Sequence, residues 1–410
     1  MLLRMDAADQ VWPLLQHSPD PRVRSYIIHW LSPRGGDAQT IIARYAQEPD
    51  VTIKRALLLC LGECELSDSD RQSLIEKLLD VYRSEPDAGL HAAAEWLLRQ
   101  WKQGEQLAAI DKELQQKEDE LVAAKDEKRQ WYVNSQGQTF VILDVGEFQM
   151  GSPETEDGRG PNEALHRRNV GRRIAISTKK VTHEQWRVFS ELQSGKVWPA
   201  DQEQFKPYIR SDDSPMIAMT WYEAAHYCNW LSDQEGIPKE QWCYEQNEKG
   251  KYGPGMKARE NFVDLTGYRL PTESEWEYAC RAGAGTSRYY GVSEVLLSRY
   301  AWYQLNGENH THPVASLKPN DLGLFDMHGN VREWCYDYYG SYPTPREEEA
   351  LKDAPPVANV EDTVRRVLRG GSFGFQSSSV RSAYRSGYLR PGDRSFAIGF
   401  RPARTYHLFP

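Results

Sequence analysis

Cysteine is scarce in this sequence, which has six cysteines among 410 residues. None of them forms a C-x2-C pair or has the spacing of a zinc site, which argues against a zinc finger and against a disulfide framework. Cys60 and Cys64 stand four residues apart in a helical pattern, which is typical of one buried helix face. Sparse, unpaired thiols predict free buried cysteines in a reducing compartment.

Long apolar segments are also absent. No run of roughly 18 or more apolar residues occurs, and the first residues lack the apolar region and cleavage site of a secretory signal. The sequence therefore predicts a cytoplasmic protein. The formal net charge of −9 argues against nucleic acid or an anionic membrane as a partner. With 40% hydrophobic and 27% charged residues, the chain is typical of a soluble globular protein with room for two domains.

Residues 1–102 contain a repeated pattern in which a proline-aspartate pair precedes an apolar helix. The pairs begin at Pro19, Pro49 and Pro86, which are 30 and then 37 residues apart. This period is near that of stacked two-helix units, and the units resemble HEAT repeats. We therefore expect a HEAT-like helical domain whose surface could bind a partner protein.

Residues 103–130 form a charged segment in which a few apolar residues recur. Leu107, Ile110, Leu114 and Leu121 follow a 3-4-7 spacing. Two interpretations fit this pattern: a long solvated helix that acts as a spacer, which we favour, and a coiled-coil dimer.

Residues 131–410 open with alternating strand formers around a glycine turn, which predicts a hairpin. Further along, three threonines are each followed three residues later by glutamine or glutamate. The pairs are Thr182 with Gln185, Thr220 with Glu223, and Thr272 with Glu275. This spacing predicts capping boxes at helix starts rather than acid-base pairs.

Four motifs of this second part occur in one order: 268–278 (YRLPTESEWEY), 323–334 (GLFDMHGNVREW), 369–373 (RGGSF) and 399–401 (GFR). From about 132 to 404 the sequence resembles the sulfatase-modifying-factor, or formylglycine-generating-enzyme, family. The resemblance implies a C-type-lectin-like domain, irregular and built around a small antiparallel sheet. With the helical repeats, it predicts an α+β protein.

The resemblance also raises the question of catalysis. Enzymes of this family hold copper with two cysteines that shortly follow the Gly-Gly-Ser element, because thiolates suit Cu(I). In this chain no cysteine occurs after Cys335, and Ser372 is followed by aromatic, glycine and serine residues. We therefore expect no copper. An iron site is also disfavoured, because His310 and His312 have no recognisable third ligand.

A calcium site is a separate implication of the resemblance. It falls on Asp326, the carbonyl oxygens of Gly329 and Val331, and Glu333, and carboxylates with intervening carbonyls suit calcium. The alternative is a tight turn that Asp326 and Glu333 stabilise without a metal.

The C-terminal segment alternates between a regular frame and an irregular filling. The frame contains Arg369, Arg381, Arg385, Arg394 and Arg401. All of these except Arg394 are expected to bridge carbonyls and carboxylates beneath the loops, because their guanidinium groups are planar. The filling is small, polar or aromatic and lacks helical or strand period. Its candidate ligand-binding residues are Gly374, Phe375, Ser379, Ser386, Tyr388, Asp393, Ser395, Phe396 and Ala397.

This filling resembles the variable regions of proteins that retroelements diversify, which share the lectin-type fold. The resemblance implies that mutation of adenines in asparagine codons produces such a residue set. Loops of this kind supply adaptable contacts on a rigid scaffold.

The sequence thus predicts a non-catalytic recognition protein that binds a protein or another macromolecule through these loops. One alternative is an oxidoreductase or other metal-dependent modifying enzyme related to the sulfatase-modifying factors. A second is a regulatory adaptor for a partner kinase or protease.

Overall fold

The computed structural model describes residues 8–123, 128–192, 203–342, 350–353 and 359–407, with the side chains of 117–123 left aside. Within these residues, no helix combines the length and the apolarity that crossing a bilayer requires.

The first part of the chain is helical. Its helices are α1 (Arg22–Trp30), α2 (Ala38–Gln47), α3 (Val51–Leu61), α4 (Asp68–Ser84), α5 (Ala88–Gln100) and α6 (Gly104–Ala123). Asp50 caps α3 and Asp87 caps α5, because each carboxylate accepts a hydrogen bond from a backbone N–H of the first turn. Asp20 lies just before α1 and accepts from the N–H of Arg22. The predicted proline-aspartate helix starts are therefore present.

These helices pack against one another, and the HEAT-like character of the repeats stays a prediction. α3 contacts both α1 and α5, α2 packs against α3, and α4 packs against α5 and α6. α5 is buried along its length from Ala88 to Leu98, because the other helices cover one side and the sheet-rich part of the chain covers the other.

We expected α6 to be a solvated spacer. Over the part whose side chains are described, it instead packs against the rest of the chain. Leu107, Ile110 and Leu114 are buried and lie in contact with α4, α5 and the first strand. The hydroxyl of Tyr82 also donates to Asp111 at 2.5 Å. The apolar spacing is therefore satisfied within the chain rather than by a coiled-coil partner; Leu121 lies outside the described side chains.

The second part of the chain, where the structure describes it, is built on short strands with three further α-helices. The strands are β1 (Trp131–Val133), β2 (Thr139–Met150), β3 (His166–Ser177), β4 (Tyr244–Glu245), β5 (Met256–Ala258), β6 (Tyr268–Arg269), β7 (Arg332–Tyr338), β8 (Leu351–Lys352), β9 (Asn359–Val360), β10 (Arg366–Arg369), β11 (Arg385–Ser386), β12 (Ile398–Gly399) and β13 (Ala403–Thr405). The helices are α7 (His183–Glu191), α8 (Trp221–Gln234) and α9 (Glu273–Arg281). All three predicted capping boxes are confirmed, at the starts of α7, α8 and α9.

The strands within the described residues form three sheets. The largest has the order β1-β2-β3-β13-β6, with β8 added beside β3, and a small one has the order β4-β5-β9. The sheet that carries the C-terminal motifs has the order β11-β10-β7-β12. In it Leu368 lies opposite both Trp334 and Ser386, and Ile398 pairs in parallel with Arg332. The predicted α+β class is confirmed.

One hydrophobic core runs through both parts of the chain. Leu57 and Leu97 of the helices belong to the same buried cluster as Trp276 and Phe325 of the sheet-rich part. The helical region and the sheet-rich region therefore form one packed body.

Ion pairs flank this shared core. Asp321 accepts from Arg24 at 2.5 Å and from the Nδ1 of His17 at 3.1 Å, and Glu95 of α5 pairs with Lys179. Burial raises the pKa of the Asp321 carboxyl, but the charges and hydrogen bonds of Arg24 and His17 outweigh burial and hold that pKa well below its usual range. The carboxylate therefore stays ionised at the junction.

Candidate functional site

The candidate site is the set of loops between β10 and β12, residues 374–397, which we call the recognition loops. They begin at a sharp reversal of the chain in which Gly370 and Gly371 have φ values of 96° and 74°. A side chain at Gly371 would also come within 2.7 Å of the carbonyl oxygen of Ser379. Glycine is needed here because other residues rarely adopt this backbone conformation.

Most of the predicted binding residues lie at the surface of these loops. Tyr388 is 49% exposed and Phe396 is 41% exposed. Gly374 is exposed, and Phe375, Ser379, Asp393 and Ser395 are half-buried.

Two of the predicted binding residues do not face solvent. Ser386 is buried in β11, where it pairs with Leu368. Ala397 is buried in a small cluster with Val331 and Phe373. The prediction of exposure is wrong for both, because small residues fit a packed scaffold as readily as a loop.

Aromatic rings line one side of the recognition loops. Phe396 stacks on Tyr208, with ring centroids 4.3 Å apart and planes within 10°. Tyr208 lies far away in sequence and is held by Thr311, whose backbone N–H and hydroxyl both donate to its carbonyl oxygen. No sequence pattern indicated Tyr208, because its irregular polar surroundings have no periodic signal.

A buried arginine lies beneath the other side of the loops. The guanidinium carbon of Arg332 is 4.6 Å from the ring centres of both Phe375 and Tyr388. Arg332 lies in the motif 323–334, but no sequence pattern indicated a role for it. Burial lowers its pKa, although the neighbouring Tyr388 opposes this effect.

Helix α9 supplies carboxylates to the arginine frame under the loops. Glu273 binds Arg385 through two hydrogen bonds of 2.7 Å, and Glu277 binds Arg369. Arg369 also donates to the carbonyl oxygens of Ala383 and Tyr384 at 2.8 Å. The four-residue spacing of Glu273 and Glu277 puts both carboxylates on one helix face, directed at the C-terminal segment.

Arg381 holds the middle of the recognition loops in the same way. It forms two hydrogen bonds of 2.9 Å with Glu163 and one of 2.7 Å with the carbonyl oxygen of Ser378. The prediction that these arginines bridge carbonyls and carboxylates is confirmed. Arg394 differs, because it makes a more exposed pair with Glu223.

The turn that the resemblance assigned to calcium is occupied by cations of the chain itself. Glu333 accepts from the Nζ of Lys180 at 2.8 Å and from Arg401 at 2.6 and 3.1 Å. Lys180 also donates to the carbonyl oxygen of Asp326, whose carboxylate accepts from the N–H of Ala315 at 2.9 Å. These contacts favour the metal-free turn, because the carboxylate that calcium would need is already paired. Calcium binding itself stays a prediction.

Groups that could bind a transition metal are not brought together in the described part of the chain, where no three histidine, cysteine or acidic side chains have suitable placement. His310 and His312 lie 4.4 Å apart between ring centres, and His312 stacks on Trp302. A separate contact, between a thiol and an imidazole, joins Cys280 and His328 at 3.5 Å. Burial raises the pKa of Cys280 to about 12 and lowers that of His328, so this pair is a neutral thiol and a neutral imidazole.

Asp337 of β7 makes stability depend on pH. Burial, followed by the charges of Asp353 and Glu273, raises its pKa to about 7 from an ordinary value of 3.8. Above pH 4 the unfolded chain loses this proton while the folded protein keeps it, so the free energy of unfolding falls as pH rises to about 7.

We expect Asp337→Asn to stabilise the protein at pH 8 by about 2 kcal/mol and to change little at pH 4. The amide oxygen can still accept from the N–H of Glu273, and the amide carries no charge beside the two carboxylates. Denaturant titrations of both proteins from pH 4 to pH 8 measure the difference. Parallel pH profiles would show that Asp337 ionises normally.

Comparison with known proteins places this architecture in a family. A model described as "Sulfatase-modifying factor enzyme 1-like domain" matches residues 127–406. The chain is 31% identical over 196 residues to "Chaperone protein LppX" of Paenibacillus barcinonensis, covering 42% of this chain and 64% of that protein. It is 28% identical over 289 residues to "Serine/threonine-protein kinase pkn1" of Chlamydia pneumoniae, covering 65% of this chain and 38% of that protein.

The chain thus spans less than two thirds of the length of either relative. Among solved structures, "Treponema denticola variable protein 1" matches with a TM-score of 0.53 and 26% identity, over 66% of this chain and 95% of that one. The family match covers most of the chain and coincides with the sheet-rich part and its arginine frame. The chain therefore belongs to the sulfatase-modifying factor enzyme 1-like family.

Proposed function

We propose that this protein recognises a macromolecular ligand, most simply another protein, through its recognition loops and without catalysis. The observation that carries the proposal is the character of the segment after Ser372. Where enzymes that resemble this chain hold copper with two cysteines, this segment presents Phe375, serines and Tyr388 on a frame of buried arginines.

The division between frame and loops supports recognition physically. Arg369, Arg381 and Arg385 are at most 4% exposed and bind carboxylates and carbonyls of the scaffold. Tyr388 and Phe396 carry large apolar surfaces into solvent on that rigid base. Exposed aromatic residues on a rigid support are the residues that most often dominate binding energy.

The state of the thiols argues against an oxidase. Each of the six cysteines is free, and burial is the first cause that raises their pKa values, to about 12 for Cys243 and Cys280. A thiol of this kind is neither a good copper ligand nor a nucleophile at neutral pH. We expect no formylglycine when the protein is mixed with Cu(I), oxygen and a cysteine-containing sulfatase peptide. Turnover of that peptide would establish the enzymatic alternative.

Diversification by a retroelement is a finer part of the proposal. The similarity to a structure named as a variable protein supports it, as does the residue set of the recognition loops. An adenine-rich near-copy of the 3′ end of the gene, beside a reverse-transcriptase gene, would establish diversification. Absence of such a copy would leave a recognition surface of constant sequence.

A regulatory adaptor is the second candidate function. It is favoured by the similarity to a chlamydial protein named as a serine/threonine kinase, of which this chain matches 38%. In that case the partner would be a kinase or protease, and the stacked helices would offer a further docking surface.

The binding experiment removes the two most exposed aromatic anchors together. We expect Tyr388→Ser with Phe396→Ser to weaken the binding of peptides selected on the wild-type protein by at least about 30-fold, or 2 kcal/mol. Stability should change by about 1 kcal/mol or less, as for surface substitutions. Phe375 is left intact because it also packs against the core.

A matched control replaces exposed apolar residues elsewhere. Leu165→Ser with Val188→Ser removes side chains that are 47% and 45% exposed and lie outside the recognition loops. Affinity should be unchanged in this control. Equal losses in the two double variants would locate binding outside the loops, and unfolding of the loop variant would show that the rings belong to the core.

A further inference from the structure

Arg332 differs from the other buried arginines around the recognition loops. Seven buried arginines of the sheet-rich part have a carboxylate partner among the described residues. They are Arg269, Arg281, Arg288, Arg369, Arg381, Arg385 and Arg401. Arg332 is only 1% exposed. No carboxylate of the described residues pairs with it, and its side-chain hydrogen bond is to Tyr388.

Two donors of this guanidinium are unused. The Nε and Nη1 atoms of Arg332 are buried and have no hydrogen-bond acceptor among the described residues. An ionised group that is buried without a partner is costly, and a lost hydrogen bond to a charged group adds to that cost. The flanking rings of Phe375 and Tyr388 offset only part of it through cation–π attraction.

The covering of this guanidinium is thin on the side of the recognition loops. One of its two flanking rings belongs to Tyr388, which is 49% exposed and sits beside Gly387 in an irregular segment. Rotation of an exposed side chain is fast, and here it would exchange the hydrogen bond and cation–π contact of Tyr388 with Arg332 for contacts with a ligand. Such a rotation would uncover the charge without moving the strands β7 and β10 that support it.

Arg366 is a useful comparison because it also has no carboxylate partner. It is 0% exposed, donates to the carbonyl oxygen of Tyr336 and lies against Trp221 and Tyr338. Its nearest rings belong to the scaffold rather than to the loop segment 374–397. Of these two arginines without a carboxylate, Arg332 is the one whose flanking rings belong to predicted binding residues.

We propose that Arg332 is the receptor for an acidic side chain of a polypeptide ligand, with Tyr388 as its movable cover and Phe375 as its fixed one. This inference rests on the proposed recognition function and names the chemistry that the loops select. A carboxylate suits the site because charge-assisted hydrogen bonds to arginine are strong and directional. Neutral ligands would leave the guanidinium unpaired, so the site also discriminates against them.

The first arm of the test needs no ligand and measures thermal unfolding. We expect Arg332→Met to shift Tm by no more than about 2 °C or to raise it, since the change removes an unpaired buried charge. Arg369→Met is the control, because it removes one of the two cations that hold the buried Glu277 and the donors to the carbonyl oxygens of Ala383 and Tyr384. This change should lower Tm by more than about 5 °C. A fall as large in Arg332→Met would assign Arg332 to the scaffold and overturn the inference.

The second arm measures the acidic contact directly. Peptides are selected from a random library on the wild-type protein, and the glutamate or aspartate of the best binder is replaced by its amide. We expect this change to weaken binding to the wild type by at least about 10-fold and binding to Arg332→Met by less than about 2-fold. Equal losses on both proteins, or binders without acidic residues, would overturn the inference.

The two arms separate this inference from the proposed function. A peptide that loses affinity for Tyr388→Ser with Phe396→Ser, but is indifferent to Arg332→Met, leaves recognition by the loops standing and removes Arg332 from it. A library that yields no peptide sensitive to either change overturns both.

Discussion

Replacing Glu333 with glutamine is expected to lower the free energy of unfolding by at least about 3 kcal/mol. Glu333, Lys180 and Arg401 are all 0% exposed, and the carboxylate is shared by the two cations. Burial raises the pKa of the Glu333 carboxyl, but the charges of Arg401 and Lys180 outweigh burial and hold it below the ordinary value. A neutral amide would leave two buried cations without an anion. Denaturant titration at neutral pH measures the loss.

The matched control for this change is Glu147→Gln. Glu147 pairs with Arg167 at the surface, where both side chains are more than 40% exposed. Exposed pairs contribute little, so we expect a change of less than about 1 kcal/mol. Similar losses in the two variants would mean that the Glu333 cluster is open to water rather than buried.

Thermal unfolding of the wild-type protein with and without calcium tests the calcium prediction. If Lys180 and Arg401 hold Glu333 as described, millimolar calcium should leave the Tm of the wild type unchanged. A rise in Tm that Asp326→Ala abolishes would instead restore calcium to this turn through its binding to the folded state.

Replacing Gly89 with alanine is expected to destabilise the protein by about 3 kcal/mol or more. Gly89 lies in the first turn of α5, against the sheet-rich part of the chain. A methyl group there would overlap the carbonyl oxygen of Asp321 and come within 2.5 Å of the Nε of Arg55. In a helix interior, alanine is normally more stabilising than glycine by about 1 kcal/mol. A destabilising effect of Gly89→Ala would therefore come from the packing of α5 against the sheet-rich part and not from helix propensity.

Gly104→Ala is the control for this junction. Gly104 opens α6, and an added methyl group would meet no atom within 4 Å. We expect a neutral or slightly stabilising change by denaturant titration. If Gly89→Ala behaves like Gly104→Ala, the helices do not pack against the sheet-rich part as the structure shows. Two separate unfolding transitions in Gly89→Ala would show that the junction alone has opened.

Several features of this protein follow from short-range chemistry and were predictable from sequence. Asp50, Asp87 and the three threonine capping boxes satisfy backbone donors two or three residues away, so their residue types mark helix starts directly. The four family motifs, which occur in one order, predicted the α+β fold of the second part. The buried role of the arginine frame was also predictable, because planar guanidinium groups in a loop-rich segment suit carbonyl and carboxylate acceptors.

Other features depend on which distant groups meet. The leucine spacing of α6 would be the same whether its apolar face were covered by this chain or by a second copy. In the structure this face packs against α4, α5 and β1 of the same chain. Ser386 and Ala397 are small enough for a loop or a core, and strand pairing and packing placed them inside. Phe396 acquires its partner Tyr208 only through the tertiary fold.

Local sequence patterns were enough to predict several helix starts, such as those of α3, α5 and α9, and the family and fold of residues 127–406. The absence of cysteines after Cys335 is likewise a property of the sequence. Tertiary structure alone decided how the charges are paired. Glu333 meets Lys180 across 153 positions of the chain, while Arg332, its neighbour in sequence, is left without a carboxylate. Adjacent residues of a strand point to opposite faces, so two neighbouring charges enter different surroundings that no local pattern encodes.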